Sequence, residues 1–304
     1  MIWLLRIVWA TLPLTAGPAA GGALDEWNAA PRLTAEVELW LAWAVVLVAL
    51  LAPRPIGLTV TRVVAPCLFL AALVVAFADD AGAPVRAAAT VATGVALVLV
   101  LGSTLSLVSA NGVAYGDEVR FPLRTPPALF AGPLLLTPLA IGAGAAAAPI
   151  LLAGGHFVAG PLALVVGVPV VAFLGRALHS LSRRWIVLVP AGLVVVDPIT
   201  LADPVLFLRE RIGGLRRLAL GASVPDGVVD LRLGAQRGSF ALALDRETEL
   251  LFTRRGRRGA AQQKTSTLCF AAVRPSDLSA SAAARRIRVD QAAASPPPTS
   301  ASPS

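Results

Sequence analysis

The 304-residue chain has only two cysteines, one tyrosine, one methionine and two histidines, and its 26 cationic residues include a single lysine, Lys264. Each scarcity excludes a class of function. Cys67 falls in an apolar run and Cys269 in a strand-like segment, on different sides of a structural divide. A disulfide framework is therefore excluded and free thiols are expected. His156 and His179 do not make a metal site alone and read as interfacial polar residues, so neither metal nor cofactor is expected. Tyr115 is remote from the Arg254–Arg258 cluster, leaving it no aromatic stacking platform, and nucleic acid is not an expected partner. The largest deficit is charge, at 14% of residues against about 25% in typical soluble proteins.

That deficit is uneven. Residues 1–175 hold seven Arg and eight acids, net −1, while residues 176–304 hold 18 Arg, Lys264 and ten acids, net +9. What fills the first part is long apolar sequence. Ala87 to Val108 is 22 residues without a charge and Ala128 to Gly155 is 28, against the roughly 20 that span a bilayer. The pattern predicts an α-helical multi-span membrane domain over 1–182, with six helices near 2–20, 34–52, 58–78, 87–108, 128–153 and 157–178. The first run reads as a retained helix, with a cleaved signal peptide as the competing reading. Arg62, near the start of the third span, is expected to snorkel into the headgroups. Pro133, Pro138 and Pro149 in the fifth run, and Pro161 and Pro169 in the sixth, predict bends. Segment 109–127 reads as a polar loop.

Arginine placement predicts the orientation. With a cytoplasmic amino terminus, Arg54, Arg62, Arg120, Arg124, Arg176, Arg183 and Arg184 all fall on the inner side, and only Arg32 and Arg86 lie outside. The expected location is a plasma membrane, multi-pass, with both termini cytoplasmic.

From Arg184 the periodicity changes. Trp185–Val189 and Leu193–Val196 predict two strands joined by a tight turn at Pro190, Ala191 and Gly192. Val229, Leu231 and Leu233, alternating with Asp230 and Arg232, predict an antiparallel hairpin with Phe240, Leu242 and Leu244 across the Gly234 to Gly238 turn. Leu250–Thr253 and Thr267–Ala272 are expected to pair around a basic loop. Pro275, Ser276 and Asp277 start a helix reaching Ile287. Residues 289–304 read as a disordered Ala/Ser/Pro tail.

The Arg184-Trp185-Ile186-Val187-Leu188 run, the Pro190-Ala191-Gly192 turn, Leu193 to Asp197 and the basic Arg209 to Leu218 segment together resemble membrane-tethered bacterial PH-like domains, over about residues 184–288. The resemblance implies a small β-rich cytoplasmic domain, a β-sheet plus C-terminal helix, with a binding or assembly role.

Chemistry is sparse. Asp197-Pro198 and Asp203-Pro204 read as turns, and Ser103, Ser106 and Ser109 have no matched His and acid. Asp117 and Glu118 with Arg120 and Arg124 read as a solvated loop, with a gate at a cytoplasmic entrance as the competing reading. Arg254, Arg255, Arg257 and Arg258 form the sharpest cluster. They are read either as a contact for anionic lipid or a partner protein, at about 1 kcal/mol per cation near an anionic surface, or as a solvated hairpin tip. The expected function is a noncatalytic scaffold or accessory protein, in contact with membrane lipids and with another membrane or cytoplasmic protein. The alternative is a small-molecule transporter built on discontinuous fifth and sixth helices.

Overall fold

The computed structural model describes residues 1–78, 82–225, 227–253 and 260–290. Its first part holds six helices long and apolar enough to cross a membrane. The first is made of two segments, α1 (Ile2–Thr15) and α2 (Gly17–Leu24). The break follows from Pro18, which has no N–H to return to the Leu14 carbonyl. Helix α1 packs closely in the bundle. Trp9 is buried and donates its indole N–H to the Trp43 carbonyl at 3.0 Å, and Trp43 returns the bond to the Trp9 carbonyl at 2.9 Å. Each indole N–H thereby finds a partner in apolar surroundings.

Helices α3 (Ala29–Leu51) and α4 (Pro55–Ala78) complete the second and third spans. The fourth span is α5 (Ala83–Leu101), shorter than the expected run to Val108. Gly102 is extended, with φ −63° and ψ 153°, and the chain restarts as a separate helix, α6 (Ser103–Asn111). Apolar composition continues through the break, which is why a hydropathy reading joins the two. The fifth and sixth spans, α7 (Pro133–Ala153) and α8 (Ala159–Ser182), each run as one helix. Their internal prolines do not interrupt them. The two backbones touch where Gly144 meets Gly167, a position at which a Cβ on Gly167 would collide with the Gly144 carbonyl.

The loop expectation for 109–127 is overturned. Val119–Pro122 is a strand, β1, and pairs antiparallel with β2 (Trp185–Val189) in the register Phe121 to Ile186. The α7–α8 hairpin is thus inserted between two adjacent strands of one sheet. That sheet continues through β3 (Gly192–Val196) and β4 (Val205–Leu208) in the order β1-β2-β3-β4. A second sheet has the order β6-β8-β7-β5-β9, formed by β5 (Ile212–Arg217), β6 (Val229–Asp230), β7 (Ser239–Thr253), β8 (Ala260–Ala271) and β9 (Val289–Asp290).

Three local expectations change here. β6 pairs parallel with β8, not antiparallel with β7, because Leu233 (φ 51°) and Gly234 (φ 87°) turn the chain in the left-handed region before a hairpin forms. β7 and β8 pair along their length, from Ser239 opposite Ala271 to Thr253 opposite Ala260, with a register shift between Ala243 and Thr248. Val289 and Asp290, assigned to the tail, pair with Leu215 and Arg216.

Alternation decides the core. Ile186, Leu188, Leu193 and Val195 from the first sheet meet Leu215, Phe240, Leu242 and Phe270 from the second, and α9 (Pro275–Ala284) closes the core with Leu278 and Ala282. Each such large side chain removed from water contributes about 1.5–3 kcal/mol. The opposite face of β2 is also covered, since Trp185 and Val187 pack with Ala110 of α6. Burial on both faces explains its continuous apolar run. Met1 Sδ accepts a long contact from the Thr104 hydroxyl, and Arg274 donates to Thr104 at 3.3 Å. The amino-terminal end and the sheets therefore share one face of the helical part.

Candidate functional site

Where the sheets meet the ends of α4, α5, α6 and α8 there is a cleft of about 580 Å³. Its polar wall is built from three separate parts of the chain. Arg62, on α4, donates from Nη2 to the Ser106 hydroxyl of α6 at 2.6 Å, and its Nε is buried without a hydrogen-bond partner. Ser106 holds the guanidinium of Arg62, expected from the sequence to snorkel, within the cleft wall.

Arg124 follows β1 and is anchored through its backbone, with its N–H bonded to the Ala271 carbonyl at 2.8 Å. Its Nε is likewise buried and unpartnered, and only a long 3.5 Å bond joins Nη2 to the Val273 carbonyl. Arg237 is exposed on the turn that follows left-handed Leu233. A non-glycine residue held in that region stores strain, a feature that concentrates at functional sites.

Among the described residues no Asp or Glu lines the cleft. Among the described residues Arg62, Arg124 and Arg237 have no ion-pair partner. The fourth lining arginine, Arg184, is already neutralised: Nε and Nη2 reach the two oxygens of buried Asp197 at 2.9 and 2.8 Å, and Nη2 and Nη1 also donate to the Leu231 and Arg124 carbonyls. Cationic groups withdrawn from water without a counter-ion are costly, so the arrangement favours an incoming anion.

A second, more open cleft of the same size lies between Gly116–Val119, Arg209 and Arg285–Arg286. It carries both signs, and its acids are partly engaged within the protein. Arg285 donates to the Asp117 carbonyl, and Glu118 accepts from the Tyr115 N–H at 2.6 Å and from Arg120 at 2.7 Å. Burial alone would raise the Glu118 carboxyl, but the Tyr115 amide and the Arg120 guanidinium together hold it below the ordinary value. Arg120 also lies over the Trp185 ring at 5.2 Å. Of the residues read as a solvated loop, Glu118 and Arg120 are engaged here, Asp117 is exposed and Arg124 lines the first cleft.

The other sequence candidates separate. Arg254, Arg255, Arg257 and Arg258 lie outside the described residues. Asp197 is buried on Arg184 while Asp203 is exposed, so they form no carboxylate pair. Asp197 does keep its turn role, accepting the Ile199 N–H at 3.2 Å. His156 is exposed, and His179 sits at the other end of α8 with Nδ1 3.2 Å from the Thr59 hydroxyl. Cys67 and Cys269 are free, and burial pushes the Cys269 thiol up. Among the described residues no group of three or more His, Cys, Asp or Glu is placed to hold a metal.

Sequence reasoning assigned Arg62 a snorkelling role and Arg124 a place in a loop, and did not join them in a site. One signal was available: Arg62 is the only charge in the third apolar run, and an intramembrane ionisable residue is by default a functional candidate. Fold and cleft together define a multi-span helical protein with a sheet-rich domain built onto one face. No family model, curated protein or solved structure matches the chain.

Proposed function

We propose that this is a noncatalytic accessory protein of the bacterial plasma membrane whose cytoplasmic, PH-like domain binds an anionic ligand together with the inner ends of the spans. Support for the PH-like reading comes from the four-stranded meander facing a second sheet, with α9 over the core. Both termini are assigned to the cytoplasm from the arginine asymmetry. The observation that carries the function is the cleft itself, which among the described residues has three arginines without an ion-pair partner, no carboxylate, and walls drawn from both parts of the molecule. The transporter reading relied on discontinuous fifth and sixth helices, and α7 and α8 run unbroken.

The test uses the full chain in zwitterionic detergent. Replacing chloride by inorganic phosphate at constant ionic strength should raise the melting temperature in a saturable way, because a ligand that binds only the folded state stabilises it. The Arg62→Gln/Arg124→Gln variant should lose that rise. An equal response in both proteins overturns the reading.

A further inference from the structure

The break at Gly102 brings the amino end of a helix to the cleft. The chain leaves α5 through Gly102, extended at ψ 153°, and restarts as α6 at Ser103, a residue of the cleft lining. A helix start leaves its first backbone N–H groups without intrahelical partners, and Gly102 has no side chain to cap them. An unbroken helix from Ala87 to Val108 would have bonded the same groups to carbonyls four residues back. Free N–H groups and aligned peptide dipoles together favour an anion.

A helix start alone does not make a site. The second observation is Arg62, whose Nη2 donates to the Ser106 hydroxyl at 2.6 Å and so holds the guanidinium on the first turn of α6, with Nε buried and unpartnered. Ser106 is 6% exposed and serves there only as an acceptor. Its own proton is left to donate. Arg124 and Arg237 line the same cleft.

The ion pairs within the protein give a measure of what such a cleft takes. Asp197 is met by Arg184, and Asp230 by Arg232, each through the Nε and Nη2 fork of a single guanidinium. One carboxylate is thus matched by one arginine. Three arginines without an ion-pair partner, beside a helix start, match an anion with more charge and more acceptor oxygens. A phosphomonoester carries about −1.5 to −2 at pH 7 on three terminal oxygens. The volume of about 580 Å³ falls in the range of small-molecule sites, about 300–1,000 Å³, and leaves room for an organic group beyond the phosphate.

We infer that the ligand of this cleft is a phosphomonoester dianion, its terminal oxygens met by Arg62, Ser106 and the free N–H groups of α6, and its charge balanced further by Arg124 and Arg237. The inference rests on the anion-binding reading above and adds the charge and chemical class of the anion. A soluble phosphate ester and a lipid phosphomonoester share this chemistry.

The full-length protein, in a neutral maltoside detergent at pH 8 and constant ionic strength, is titrated with methyl phosphate, methyl sulfate, dimethyl phosphate and acetate. Half-saturation is read from the melting temperature. Methyl phosphate and methyl sulfate have nearly the same shape and differ by one charge. Methyl phosphate should half-saturate at least about tenfold below the other three, because a further unit charge a few ångströms from guanidinium groups outweighs that ratio.

Ser103→Pro tests the helix start without breaking it. Proline is favoured at the first helical position, and the extended Gly102 suits the residue before it. The substitution removes the Ser103 N–H, and should weaken methyl phosphate about tenfold relative to Ser103→Ala, the worth of one hydrogen bond to a charged group. Arg62→Lys keeps the charge, loses the Nε donor and should weaken methyl phosphate as well. Glycerol 3-phosphate and dioleoyl phosphatidic acid separate the sources: tighter binding of the lipid supports a membrane ligand, and tighter binding of glycerol 3-phosphate a soluble one.

If methyl sulfate or acetate binds as tightly as methyl phosphate, the dianion inference fails while the anion site stands. If none of the four binds, both fail. Methyl phosphate binding that is unchanged in both Ser103→Pro and Arg62→Lys overturns the assignment to the start of α6.

Discussion

Asp197 shows how much one side chain can carry. It and Arg184 are almost completely buried, at 0% and 1% side-chain exposure, and the pair ties the exit of the last span to β3, to the Leu231 turn and to the segment after β1. A buried pair is weak evidence of net stabilisation, but removing one partner leaves an uncompensated charge and costs about 3–5 kcal/mol. Asp197→Ala should therefore lower the melting temperature of the full chain markedly. Replacing both residues, as Arg184→Met/Asp197→Leu, should recover most of the loss. An undiminished melt for Asp197→Ala would mean that the Leu231 and Arg124 carbonyls suffice to hold Arg184.

At the scale of elements, the close approach of α7 and α8 depends on Gly144 and Gly167. Any side chain at 167 must push the helices apart, and overpacking of this kind costs about 1–3 kcal/mol. Gly167→Leu should lower the melting temperature, whereas Gly175→Leu on the same helix should not, since nothing lies within 4 Å of its Cβ position. Equal effects would show that helix propensity, not contact, decides.

Strand β1 makes a second case. Residues 184–290 expressed alone lack β1, so β2 keeps an open edge and the core loses Phe121 and Leu123. That fragment should aggregate, as exposed apolar edges do. Fusing residues 117–125 ahead of it through a flexible linker should give a soluble, β-rich monomer by circular dichroism and sedimentation. A monomeric, folded fragment without β1 would show that the strand is dispensable.

For the whole molecule, Met1, Thr104 and Arg274 place the amino-terminal end and the sheets on one face, and the proposed orientation makes that face cytoplasmic. Reporter fusions after Gly57, Asn111 and Leu278 should give cytoplasmic signals, and fusions after Asn28 and Gly155 external ones. An external signal after Leu278 reverses the orientation. Three chain crossings join the sheets to the helices, at α6 to β1, β1 to α7 and α8 to β2. The sheet domain is thus built into the helical part rather than suspended from its carboxyl end.

What was legible in the sequence was local. Apolar runs of membrane length, the β2–β3 hairpin with its Pro-Ala-Gly turn and the helix beginning at Pro275 each follow from neighbours a few residues apart. Their periodicity and turn chemistry act within one element. The break at Gly102 and the parallel placement of β6 were not legible, because there backbone geometry overrides an unbroken apolar or alternating pattern. Least legible was the site. Val119–Pro122 has no long alternation of its own and becomes a strand by pairing with residues 185–188, while Arg62 meets Ser106 across 44 positions and Arg184 meets Leu231 across 47. Composition determined that the chain has long apolar helices and then sheets. Only the tertiary structure decided which arginines are neutralised and which are left facing a cleft, because a charge acts over a few ångströms of space and has no regard for distance along the chain.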